Sequence, residues 1–107
     1  MELFAVIDEV LMGQGVFGIF STSELARKFM AQFQSNTNFR CRITKLTVTG
    51  GVADDKVWVA YVHDCIHDVF ELDGLYGEPL LARDASGDKG MVVEFVIDAP
   101  GRKGALS

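Results

Sequence analysis

The 107-residue sequence predicts an α+β fold: two strand-strand-helix-strand pseudo-repeats in one domain, with a mostly antiparallel sheet and two helices on one face. Three observations predict it. The segment GIFSTSELAR (18–27) aligns without a gap to GLYGEPLLAR (74–83), at an offset of 56 residues, with glycine, an aliphatic, an aromatic and Leu-Ala-Arg recurring in place. Apolar runs flank both copies in the same order: LFAVI (3–7) and VWVAYV (57–62) before them, FRCRITKLTV (39–48) and MVVEFVI (91–97) after them. Apolar residues make up 49% of the chain and charged ones 23%, enough apolar surface to offset the entropy of ordering one domain. The expected boundaries are a first unit at 1–49, a linker at 50–56, a second unit at 57–98 and a mobile tail at 99–107.

In the first unit LFAVI has the aliphatic and aromatic content of a strand. MGQG (12–15) reads as a hairpin loop and VFGIF (16–20) as the return strand, with Gly18 a candidate bulge. Ser21 to Glu24 forms the S-x-x-E pattern of a capping box, in which hydroxyl and carboxylate each satisfy an early backbone N–H. Leu25, Ala26, Phe29, Met30 and Phe33 then recur at helical spacing, predicting one buried stripe. QSNTN (34–38) ends that helix. In the third strand Phe39, Cys41 and Ile43 alternate with Arg40, Arg42 and Thr44, one face apolar and one cationic. Leu46 and Val48 break the phase, which requires either a bulge near Lys45 or a change of buried face.

The second unit repeats the plan with a shorter helix. Pro79 suits a first turn, where its missing N–H costs little, and Gly87 ends the helix after about two turns. MVVEFVID alternates Met91, Val93, Phe95 and Ile97 against Val92, Glu94, Val96 and Asp98 before Pro100 and Gly101 stop it.

HDCIHD (63–68) gathers both histidines, one of the two cysteines and two aspartates. The unit pattern places it at a hairpin tip. As a metal site it would use His63, Cys65 and His67, completed by Asp68, Asp73 or water, with zinc the natural ion. A flat strand would hold the two histidines about 13 Å apart, so only a tight turn could converge them. The same residues could form a thiol–imidazole pair, Cys65 with His63 or His67, or a pH-sensitive patch. Cys41 and Cys65 lie 24 apart without CxxC spacing, so buried free thiols are expected rather than a disulfide or a redox pair.

Net charge is −5 and unevenly placed. Residues 1–53 carry four acids and five bases; residues 54–107 carry eleven acids and five bases. The acidic half disfavours phosphate contact, so no nucleic-acid partner is expected despite the interleaved Phe39, Arg40 and Arg42. There is no nucleotide-binding glycine loop and no GxSxG elbow. MELFAVIDEV lacks a basic segment ahead of its apolar stretch, and no apolar run reaches about 18 residues, so neither a secretory leader nor a membrane span is expected. A cytoplasmic protein is the expectation.

GVFGIFSTSELARKF (15–29) resembles a strand-to-helix signature, G-V-F-x-x-F-S-x-x-E-x-A, of small bacterial and phage proteins of unknown function. The likeness covers about 35 residues of the first unit. It implies an α+β fold and carries no activity or site residue with it. The expected function is therefore a non-catalytic protein-interaction module, acting on a protein partner or as a homodimer. The alternatives are a small metal- or thiol-dependent enzyme built on His63, Cys65 and His67, and a small-ligand sensor binding between the two units.

Overall fold

The computed structural model describes residues 1–8, 15–37, 40–52 and 54–99. Its elements are β1 (Glu2–Asp8), β2 (Val16–Phe20), α1 (Ser23–Asn36), β3 (Cys41–Thr49), β4 (Lys56–Asp64), β5 (Val69–Tyr76), α2 (Pro79–Ser86) and β6 (Met91–Val96). The order strand, strand, helix, strand occurs twice. β2 and β5 end, and α1 and α2 begin, at the same offset that relates the two sequence segments. The first three residues of the MGQG loop, Asn38 of QSNTN, Phe39, and 100–107 of the tail lie outside the described residues.

All six strands form one sheet in the order β2-β1-β3-β5-β4-β6, and the fold is α+β. Neighbours are antiparallel except β3 and β5, which run parallel through Val48↔Leu75 and Thr49↔Tyr76. The sheet curls until its outer strands approach. Asp98, just past β6, donates its N–H to the Ile19 carbonyl of β2 at 2.9 Å. One face of every strand turns into the resulting interior, where a single cluster takes residues from all six, among them Ile7, Ile19, Val48, Val59, Leu75 and Phe95. Each large aliphatic side chain removed from water there contributes about 1.5–3 kcal/mol. Tyr61 spans the interior from β4 to the Val16 backbone, and burial pushes its hydroxyl up to about 12.

α1 packs on the outer face of β1, β2 and β3, over Val6, Phe20 and Cys41, with Phe29 and Phe33 laid against that second cluster. α2 lies along β4, β5 and β6, and its fully buried Ala82, like Ala26 of α1, falls outside the interior cluster. The change of phase in β3 follows from this two-sided cover. The β1–β3 register runs without a break from Glu2↔Thr47 to Asp8↔Cys41, so there is no bulge at Lys45. Cys41 and Ile43 face α1, whereas Leu46 and Val48 belong with the interior.

Several expectations are corrected. The N-cap of α1 is Thr22, whose Oγ1 accepts the Leu25 N–H at 3.2 Å; Ser21 is drawn away to Asp98. Leu25 is 41% exposed and stands outside the buried stripe. The register of the β1–β2 ladder shifts between Val6↔Gly18 and Ile7↔Val16, so Gly18 keeps its place in the ladder and is not the bulged residue. Lys56 belongs to β4, paired with Val96, and not to the linker. Pro79 does open α2, and Gly87 closes it with φ 74°, a conformation that favours glycine. Among the described residues no helix is long and apolar enough to cross a membrane.

Candidate functional site

The β4–β5 ladder runs from Trp58↔Tyr76 to Asp64↔Val69, while the ladder joining β4 to β6 stops at Tyr61↔Met91. Val62, His63 and Asp64 therefore extend beyond β6, and the hairpin ends in a four-residue turn, Cys65-Ile66-His67-Asp68. Local chemistry builds this turn. Asp64 sits at its entry, where a short carboxylate can accept from the backbone ahead of it. Its Oδ1 accepts the N–H of Ile66 at 2.9 Å and of His67 at 3.4 Å. Asp68 closes the turn at φ 53°, a left-handed conformation that aspartate tolerates better than most residues.

The two histidines are each tied to an aspartate. His67 Nδ1 lies 2.8 Å from Asp64 Oδ2, and this bond raises the pKa of His67 and lowers that of Asp64. His63 Nε2 lies 2.9 Å from Asp68 Oδ1, and its ring packs on Phe70 with centroids 5.1 Å apart. On the other side of that ring, Cys65 Sγ lies 3.7 Å from His63 Nδ1.

Of the four residues that the sequence offers as metal ligands, His63 thus touches Cys65 and Asp68, while His67 turns to Asp64. The first three do not converge either, because the two nitrogens of one imidazole point in divergent directions and each serves a different neighbour. Asp73 accepts the Tyr76 hydroxyl at 2.6 Å, which pushes that hydroxyl up to about 12. Among the described residues no group of three or more His, Cys, Asp or Glu is arranged to hold a metal ion. The thiols also part from expectation: both are free, but only Cys41 is buried and Cys65 is exposed. A hollow of about 260 Å³ lies between the end of α2 and the start of β6, lined by Arg83, Ser86 and Asp88 among others, within the second unit rather than between the units.

No protein family, curated protein or solved structure matches this chain. The geometry of the tip is accordingly the basis for a functional reading. Its most prominent feature is Ile66, 89% exposed at the apex of the turn. Composition draws attention to the polar letters of HDCIHD and away from this one. Asp64 preceding the turn is the signal that would have found it, since a carboxylate capping the N–H groups two and three residues on forces Ile66 to the apex.

Proposed function

We propose that the chain is a non-catalytic protein-interaction module that engages its partner, another protein or a second copy of itself, through the β4–β5 tip. The observation that carries this reading is an isoleucine held almost fully in water at the apex of a turn that its neighbours have already ordered. Covering such a side chain in a partner's pocket is worth about 1.5–3 kcal/mol. Because two His–Asp pairs and the Asp64 cap hold the turn, little conformational entropy remains to be lost on binding. Asp64 and Asp68 flank the apex and Glu71 is near enough to act on His67, an acidic surround that suits a partner pocket with a basic rim and speeds encounter with it.

The test places a photoreactive amino acid at position 66 and, as a control, at exposed position 24 on α1, in the cell that makes the protein. A discrete crosslinked species at 66 only is expected. Its purified partner, or the purified chain itself, then binds at least about tenfold more weakly to Ile66→Ser, the loss that one buried aliphatic anchor predicts. Identical products at 66 and 24, or unchanged affinity of Ile66→Ser, overturn the reading.

A further inference from the structure

Cys65 has a chemical role open to it that docking does not use. It is the exposed thiol of the two, it opens the turn, and its Sγ faces His63 Nδ1 at 3.7 Å. The roles within this chain of groups follow from valence. An aspartate carboxylate only accepts, so at 2.9 Å from Asp68 Oδ1 the Nε2 of the neutral ring carries the proton. Nδ1 is then left with its lone pair towards the thiol. A nucleophile, a base and a group that orients the base stand in order. The base is also well held: His63 is on a strand, its side chain is 19% exposed, and its ring rests on Phe70.

The surroundings select the reaction. Acyl transfer needs donors for a developing oxyanion, yet the two backbone N–H groups that follow Cys65 are both given to Asp64. Attack on a disulfide makes no oxyanion; one sulfur displaces another, and the departing thiolate needs only a proton. We propose that Cys65 is a thiol–disulfide exchange site that takes a low-molecular-weight disulfide and becomes S-thiolated, with His63 as the base and Asp68 as its positioning residue.

In that step the Sγ–H proton passes to His63 Nδ1 as Sγ attacks one sulfur of R–S–S–R. The Sγ–S bond forms and the S–S bond of the reagent breaks. The departing R–S⁻ takes the proton back from Nδ1, leaving Cys65 oxidised in a mixed disulfide and one R–SH reduced. Cys41 is buried beneath α1, so it does not offer a second exposed thiol to resolve the adduct. The adduct persists until an external thiol removes it. This is a reversible modification of the chain, not turnover.

The probe is glutathione disulfide, added to the full chain and followed by intact-mass and peptide mass spectrometry. The expected result is an adduct on Cys65 and none on Cys41 in the folded protein. Cys65 is expected to react about tenfold faster folded than in urea at the same pH, and His63→Ala or His63→Gln to slow it by about fivefold or more, within the range that a positioned base supplies. Asp68→Asn slows it less, and does so with the fold intact by circular dichroism. If either His63 variant reacts within about twofold of the parent, or folded Cys65 reacts no faster than in urea, the proposal fails. The urea comparison decides the matter even if the variants do not fold.

Discussion

Along the sheet, the half built of β1–β3 and the half built of β4–β6 meet edge to edge at two places, and the two junctions are closed by different means. Between β3 and β5 the closure is backbone on backbone. Gly77 donates its N–H to the Thr49 carbonyl at 2.8 Å and lies so close to Gly51 that a Cβ would overlap the Gly51 carbonyl oxygen. Between β6 and β2 a side chain does the work. Asp98 accepts the Ser21 N–H at 2.8 Å and the Ser21 hydroxyl at 2.6 Å, while its own N–H goes to Ile19. At the 56-residue offset by which the two sequence segments align, Ser21 falls opposite Gly77. Position 77 must be bare because it faces the Gly51 carbonyl, whereas position 21 faces the Asp98 carboxylate and carries donors for it. The same topological task thus selects opposite residues, according to whether a backbone carbonyl or a carboxylate faces the position.

The largest expected effect breaks the tighter junction. Gly77→Ala introduces a clash that only a backbone shift can relieve, so a loss of about 3 kcal/mol or more is expected, measured by urea denaturation. A loss under about 1 kcal/mol would mean that the junction is looser than its geometry. Asp98→Ala acts on the other junction. It removes two hydrogen bonds to a carboxylate and leaves alanine in a left-handed conformation at φ 63°, for about 2 kcal/mol in total. Asp98→Asn, which keeps an acceptor and tolerates that conformation, is expected to lose less. Equal losses for the two would show that charge alone closes this junction.

The smallest effect lies at the tip, outside both junctions. His67 titrates above its ordinary 6.5 because Asp64 accepts from it, and Asp64 titrates below its ordinary 3.8 for the same reason. The His67 contribution is full below 6.5 and fades as pH rises through its raised folded value; that of Asp64 is full above 3.8 and fades as pH falls through its lowered one. The pair is therefore intact across the window between those folded values. Following the His67 ring by NMR is expected to give a midpoint above 6.5 that returns towards 6.5 in Asp64→Asn. Asp98→Ala leaves that midpoint where it is; a displaced midpoint would show that junction and tip are coupled.

Much of the architecture is visible in the letters because local chemistry decides it. Alternation over 91–96, the aromatic stripe Phe29 and Phe33, Pro79 at a helix start and Gly87 at a helix end each depend on neighbours a few residues away. The cap of α1 was misplaced by one residue for the opposite reason. Ser21 and Thr22 are equally good hydroxyls locally, and Asp98, 77 positions away, takes the first and leaves the second to the helix. The break of phase at Leu46 was legible as a choice, and only α1 covering the outer face decided it.

The sequence by itself determined which segments are strands and helices, their order, and the polar composition of the hairpin end. Tertiary structure decided the rest: the curling of the sheet, the junctions at Gly77 and Asp98, and which face of β3 each half of that strand buries. Composition brings five reactive letters together in HDCIHD, but the turn deals them into separate contacts and lifts the isoleucine clear of them. The physical reason is one of range. Periodicity and capping are settled within a helical turn or a pleat, whereas the direction of a side chain at a seam depends on where distant backbone lies.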